Sequence, residues 1–297
     1  MKNICLLGVI IMSVFTISGI ALYGAYHYDG ESASQVYDID GNPLLDSSIP
    51  VPSGDLSAIQ TIALPDLYET GKGFTCTGLA YDSSNDTFLV GDIGALTPND
   101  SYHSQIVRLE PDFTTVVENI PIYETFSNMG PIQGITIDSS DGTIWFCCPD
   151  ENKIRHISVA GINIGSITVS RPTGIAYSAS RNAFWVLTYN NDILLIDKNG
   201  NTIESYSFAY NEALDQCFLD EGRNYLYITA GTNYTGRNNI YCFDTSTHEQ
   251  SIACTVDSYS VEGIWLGWDT KMIILNDGYY HSALVAVNQV NIYEIDD

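Results

Sequence analysis

The stretch Pro172-Thr-Gly-Ile-Ala-Tyr177, followed by Asn182-Ala-Phe-Trp-Val-Leu187 and Asp192-Ile-Leu-Leu-Ile196, is one copy of a unit that recurs five times in this 297-residue chain. Each copy starts on a small residue, runs into an apolar strand, crosses a polar turn and continues through two further strands. The first strands read Gly78-Leu-Ala-Tyr-Asp82, Gly134-Ile-Thr-Ile-Asp138, Gly174-Ile-Ala-Tyr177, Cys217-Phe-Leu-Asp220 and Gly263-Ile-Trp-Leu266. The second strands read Thr87-Phe-Leu-Val90, Thr143-Ile-Trp-Phe146, Phe184-Trp-Val-Leu187, Tyr225-Leu-Tyr-Ile228 and Met272-Ile-Ile-Leu275. Third strands follow at 105–109, 153–157, 193–196, 239–243 and 291–295, and fainter fourth strands at 113–119, 162–169, 202–208 and 250–256. Short runs of Ile, Val, Tyr, Phe and Trp between Gly, Asn, Asp and Ser are strands with turn punctuation. A repeat of roughly 40 to 50 residues points to a propeller or a solenoid. Beyond the N-terminus no long window carries a helical period, so the expected class is all-β.

The last copy stops after its third strand, and Ala58-Ile-Gln-Thr-Ile-Ala-Leu64 precedes the first copy as an orphan fourth strand. That strand is expected to complete the last blade, because ring closure removes exposed sheet edges. The result is a five-bladed β-propeller. A six-bladed alternative arises if Val36-Tyr-Asp-Ile-Asp-Gly-Asn-Pro-Leu44 contributes strands to a further blade instead of forming a detached hairpin.

Residues 1–28 form the first segment. Residues 4–25 are largely apolar with Lys2 ahead of them, long enough for a single membrane span. A secretory signal peptide cut after Ala21 is the competing reading. Either way the body is exported, tethered to a membrane in the first case and secreted in the second. Residues 29–57 are polar, include Pro50-Val-Pro-Ser-Gly54, and read as a stalk. Residues 58–297 form the propeller domain. The formal net charge is −25, with every acidic residue after position 28. Such a surface repels nucleic acid and anionic lipid and attracts cations. Of the seven cysteines, six follow the leader, mostly on apolar strands where a thiol packs as a small core residue. Cys242 and Cys254, on neighbouring strands, form the candidate disulfide pair. No Cys-x-x-Cys spacing exists to hold a structural metal.

Functional groups are expected where first strands begin and second strands end, because those loops ring one mouth of the channel. Before the first strands stand Thr77, Gln133, Thr173, Asp215 or Gln216, and Glu262; after the second strands stand Asp92, Asp150, Asn190 or Asn191, Asn233, and Asn276-Asp277. Asp92, Glu262, Asn276 and Asp277 are the candidate metal ligands, since hard oxygen donors suit calcium or another divalent cation. The same residue types also build turns. Gln133, Asp150, Asn233, Tyr102 and Tyr280 are candidate ligand contacts. The first and last copies share Tyr102-His103-Ser104 and Tyr280-His281-Ser282. His103 or His281 beside a carboxylate is a candidate general base. With no Gly-x-Ser-x-Gly turn, a Ser-His-Asp hydrolase is not expected.

Pro172-Thr-Gly-Ile-Ala-Tyr177 and Gln133-Gly-Ile-Thr-Ile-Asp138 resemble NHL-type and SdiA-regulated propeller repeats over residues 58–297. That resemblance implies an extracytoplasmic propeller that binds a ligand or partner. Glu262-Gly-Ile-Trp265 with Asn276-Asp277 is also similar to gluconolactonase-like propellers. The second resemblance implies a metal in the channel, with Glu262 as a ligand and Asp215 as a catalytic carboxylate. Thr77, Gln133 and Thr173 stand where further ligands belong in that family. The reading adopted from sequence is a binding module for a cell-surface protein, glycan or small molecule. The alternative is a divalent-metal-dependent hydrolase or lactonase.

Overall fold

The computed structural model describes residues 50–69, 71, 73–94, 103–126, 129–230, 236–267, 270–276 and 288–295, together with short strands Phe15–Ile17, Ile20–Leu22, Val36–Tyr37 and Pro43–Leu44. Five antiparallel sheets follow one another along the chain. Blade one is built from Cys76–Asp82, Thr87–Asp92, Gln105–Leu109 and Val116–Ile120. Blade two is built from Ile135–Asp138, Thr143–Cys148, Lys153–Ile157 and Asn163–Thr168. Blade three uses Pro172–Ser178, Ala183–Thr188, Asp192–Asp197 and Thr202–Ser207. Blade four uses Cys217–Asp220, Tyr225–Ile228, Asn238–Asp244 and Gln250–Val256. Blade five joins Val261–Gly267, Lys271–Asn276 and Gln289–Glu294 to Gln60–Ala63.

The orphan strand therefore does close the ring: Ala63, Ile62, Thr61 and Gln60 pair antiparallel with Gln289, Val290, Asn291 and Ile292. The segment Val36–Leu44 does not supply a sixth blade. Its residues form a separate two-stranded ladder, Val36 opposite Leu44 and Tyr37 opposite Pro43. One strand was not legible in the pattern. Gly54–Leu56, at the end of the stretch read as a stalk, adds in parallel to the outer strand of blade four, opposite Cys254, Thr255 and Val256. Most of residues 4–25 lie outside the described residues; among the described residues no helix is long and apolar enough to cross a membrane.

Successive side chains of a strand point to opposite faces of its sheet, and here each blade is covered on both faces by its neighbours. That is why a second strand such as Ala183–Thr188 is buried at every position. Five separate apolar cores result, one at each junction between blades. Trp145, Cys147 and Ile154 of blade two meet Ile175, Phe184 and Val186 of blade three. Trp185 and Leu187 of blade three meet Leu226, Ile228 and Phe243 of blade four. At the closure, Trp265, Ile273 and Leu275 of blade five meet Phe88, Val90 and Val107 of blade one. Trp265 stands edge-on to Phe88, with ring centroids 5.3 Å apart, a favoured aromatic geometry.

The small residue that opens each repeat has a steric cause. A Cβ on Gly134 would fall 2.6 Å from the Thr173 carbonyl oxygen and 2.7 Å from the Gly174 Cα. One on Gly78 would fall 2.6 Å from the Ile135 nitrogen. At these glycines the neighbouring inner strand stands too close for a side chain, and at Gly134 the Gln216 amide oxygen, 2.5 Å from where a Cβ would stand, already takes the space. The expected disulfide does not form. Cys242 faces Ser251 and Cys254 faces Ile240, and the six cysteines from Cys76 to Cys254 are buried and in no disulfide.

Candidate functional site

Each inner strand begins at the end of the ring where the second strand of its blade stops, as Cys76 opposite Asp92, Pro172 opposite Thr188 and Val261 opposite Asn276 show. The pairing is interrupted there by bulges spanning Thr77-Gly78, Thr173-Gly174 and Glu262-Gly263. A bulge re-aims the residues it contains, and these are the residues that ring the mouth. The mouth is floored by one side chain. Gln216 occupies the position that Gly78, Gly134, Gly174 and Gly263 hold in the other repeats. Its amide reaches across the axis: Nε2 donates to the carbonyl oxygens of Ile135 (3.0 Å) and Leu79 (3.3 Å), and Oε1 accepts from the Ile175 N–H (3.1 Å). One residue of blade four thus binds the inner strands of blades one, two and three across the axis.

Blades two to five each place a polar residue just before that position: Gln133, Thr173, Asp215 and Glu262. The Gln133 Nε2 donates to the Tyr189 hydroxyl at 3.0 Å, while its Oε1 is buried and meets no partner among the described residues. Reversing the amide exchanges the two atoms and leaves Nε2 orphaned instead. A buried amide atom without a partner costs about 1–3 kcal/mol. Thr173, wholly buried between Gln133 and Asp215 in ring order, carries an Oγ1 that likewise has no partner among the described residues. The Tyr189 phenol is pushed up to about 12, first by burial and then by the negative charges of Asp215 and Glu262, against a hydrogen bond from Gln133. Glu262 is 5% exposed, and its Oε1 accepts from the Ser260 hydroxyl at 3.2 Å. Its carbonyl oxygen accepts from the Thr229 hydroxyl at 3.1 Å, tying blade five to blade four. Above them the Arg171 guanidinium lies over the Tyr189 ring, 4.6 Å from its centroid.

The other sequence-predicted residues separate from this cluster. Asp92 is fully buried, and its carboxylate accepts from the Tyr68 hydroxyl (2.5 Å), the Gly94 N–H (2.8 Å) and Gln105 Nε2 (3.1 Å). Burial raises its pKa despite those bonds. Asn276 is buried at the end of its strand, opposite Val261 and Gln289. Asp150 is exposed on the turn Pro149–Glu151, where its carboxylate covers Gly130. His103 stacks on Tyr123 with centroids 4.7 Å apart. Tyr102, Asn233, Asp277, Tyr280 and His281 lie outside the described residues. Among the described residues no group of three or more His, Cys, Asp or Glu is arranged to hold a metal ion.

Of the candidates, then, Gln133, Asp215 and Glu262 hold the same position before the first strand of their blades as Thr173 does in blade three. Tyr189 and Arg171 join them unforeseen. Their signal was faint: Tyr189 directly follows a second strand, but the Asn190-Asn191-Asp192 beside it drew the reading toward polar turn residues.

No protein-family model and no curated protein matches the chain. Solved structures match its shape. The glutaminyl cyclase of Myxococcus xanthus superposes with a TM-score of 0.57 at 9% identity, over 83% of this chain and 100% of that one. A chain of a nidogen/laminin complex gives 0.49 at 13%, over 68% and 72%. A protein of unknown function from Bacteroides caccae gives 0.45 at 14%, over 70% and 72%. Identities this low carry the fold alone, and the fold is a five-bladed β-propeller.

Proposed function

We propose that this propeller is an exported binding module, tethered to a membrane through residues 4–25, that receives its ligand in the channel mouth. A rigid ring presenting loops at one end is a general interaction scaffold. The observation that carries the placement is the Gln133 amide, whose Oε1 has no partner among the described residues, at the end of the ring where the first strands begin and Gln216 spans the axis. Concave sites with a few convergent polar groups are where ligands settle. Support for export comes from the apolar run and the acidic body. A cell-surface protein, a glycan or a small molecule would each reach the mouth without entering the ring.

Thermal-shift screening of the full-length protein against peptides, glycans and small molecules tests the placement. A ligand that raises the melting temperature of the wild type but not of Gln133→Leu is the expected result. Ligands that stabilise both proteins equally overturn it. A calcium arm in the same screen tests the metal-dependent alternative through Glu262. Fractionation of expressing cells, with and without residues 4–25, tests the tether.

A further inference from the structure

We propose that the outer edge of blade two is where a second copy of this chain attaches, strand to strand. The far side of an outer strand offers unpaired backbone N–H and C=O groups, and proteins keep such edges from pairing with charge, shortness, proline or a cover. Four of the five edges here carry one of those devices. Val116–Ile120 has Glu118 at its centre, and Thr202–Ser207 has Glu204 near its own. Gln60–Ala63 is four residues long and Pro65 follows closely. Gln250–Val256 bears no charge, and the chain covers its end with its own strand Gly54–Leu56. Asn163–Thr168 has none of these devices. From Ile157 to Ser170 no residue is charged. Ile162 and Ile164 are 67% and 52% exposed, and among the described residues no strand pairs with the outer side.

The register shows which groups point outward. The Val169 N–H bonds the Asn152 carbonyl oxygen, and Ile167 and Gly165 face Ile154 and His156. The alternation of an antiparallel pair therefore turns the backbone groups of Ser166 and Thr168 away from the blade. A second copy run antiparallel, with Ser166 opposite Ser166, places Ile164 opposite Thr168 on either side of the two-fold axis, a β-branched pair each time. Self-pairing singles out this edge. A charged residue near the axis meets its own copy, and like charges face to face are destabilising, which excludes the edges carrying Glu118 and Glu204. Two bodies of formal net charge −25 repel each other, so contact is favoured where the strand carries no acid. With one such edge per ring among the described residues, the pairing closes at two copies.

Sedimentation equilibrium of the full-length protein in mild detergent tests the proposal, and a monomer–dimer equilibrium is expected. Ile164→Glu and Ser166→Pro should each weaken the dimer by about tenfold or more. Both positions are exposed, and an edge strand tolerates proline where the N–H points outward, so an unchanged melting temperature should accompany the loss. Ile203→Glu, at an exposed isoleucine on the edge of blade three, should leave the dimer unchanged. Ser166→Cys should oxidise to a disulfide-linked dimer, because the two copies of that residue stand within disulfide reach, and Ile203→Cys should not. A protein monomeric at every concentration overturns the proposal. So does association indifferent to Ile164→Glu and Ser166→Pro, as one through residues 4–25 would be, or equal cross-linking from positions 166 and 203. Slow hydrogen exchange at Ser166 and Thr168 in the monomer also overturns it, since residues 29–49 or another protein would then cover the edge.

Discussion

Replacing Gln216 by Met keeps the volume at the axis and deletes every hydrogen bond that the amide makes there. Three bonds disappear, to Ile135, Leu79 and Ile175. Each of those backbone groups sits on the channel side of an inner strand, where no further strand can pair with it. A typical bond contributes about 1 kcal/mol net, and a buried group left unpaired costs about 1–3 kcal/mol. The expected loss is therefore about 3–5 kcal/mol. With roughly 2–4 °C per kcal/mol for a domain of this size, the melting temperature should fall by about 6–20 °C. Gln216→Ala should fall further, since a cavity adds to the lost bonds. Urea unfolding followed by tryptophan fluorescence gives the free energy, and calorimetry gives the midpoint. A Gln216→Met protein within about 0.5 kcal/mol of wild type, inside the range of an ordinary surface change, would refute the idea that this amide locks three blades together.

Glycine positions give a paired comparison. Gly134→Ala places a methyl 2.6 Å from the Thr173 carbonyl oxygen and should cost about 1–3 kcal/mol as overpacking, whereas Gly165→Ala, with nothing within 4 Å, should be neutral or mildly stabilising in the same unfolding assay. Acid stability should depend on Asp82 and Asp138. Burial alone would raise both carboxyls, but bonds from Ser84, Asn85 and Arg108 outweigh it for Asp82, and bonds from Lys198 and Ser140 for Asp138, so both are held below 3.8. Their contribution is thus present above the unfolded value of 3.8 and is lost as the pH falls through the lower folded values. Asp82→Asn should flatten that acid limb of a stability-against-pH curve, and an unchanged limb would count against the assignment. Burial also pushes the Cys242 and Cys254 thiols up to about 12. The six thiols from Cys76 to Cys254 should resist a thiol reagent in the native protein and react together after denaturation, which mass spectrometry reads directly.

The architecture was legible because a propeller writes its blades locally. Gln105–Leu109, Lys153–Ile157, Tyr225–Ile228 and Gln250–Val256 span the residues that alternation and turn punctuation assign to them. Even the closing strand Gln60–Ala63 announced itself by lacking a partner nearby. Gly54–Leu56 did not, since a three-residue strand with two exposed positions carries no period to read. The site was legible only in part, for a different reason. Gln133, Asp215 and Glu262 hold a repeat position that can be counted along the chain. That Gln133 bonds the Tyr189 hydroxyl, and that Gln216 spans the axis, depends on how closely the inner strands converge. That convergence is a property of the ring, and no single repeat contains it. Asp92 shows the opposite error. A carboxylate at a mouth position suggests a free ligand, yet Tyr68, from the loop that follows the closing strand, donates to it.

The closing strand also sets the order in which the molecule can be made. The Thr61 hydroxyl bonds Asn291 across 230 residues of chain. At a synthesis rate of about 5–20 residues per second, residues 60–63 wait on the order of 10–50 s for their partner strand to be built. The antiparallel strands of blades one to four are adjacent in the chain and can pair as they appear, while Gly54–Leu56 waits for the outer strand of blade four. Ring closure must then follow the last blade, and it carries the loop-closure entropy of nearly the whole domain. Until that moment Gln60–Ala63 and the third strand of blade five are open edges. A chain cut short before Gln289 would keep the first of them open permanently, and it should aggregate rather than fold as a smaller ring.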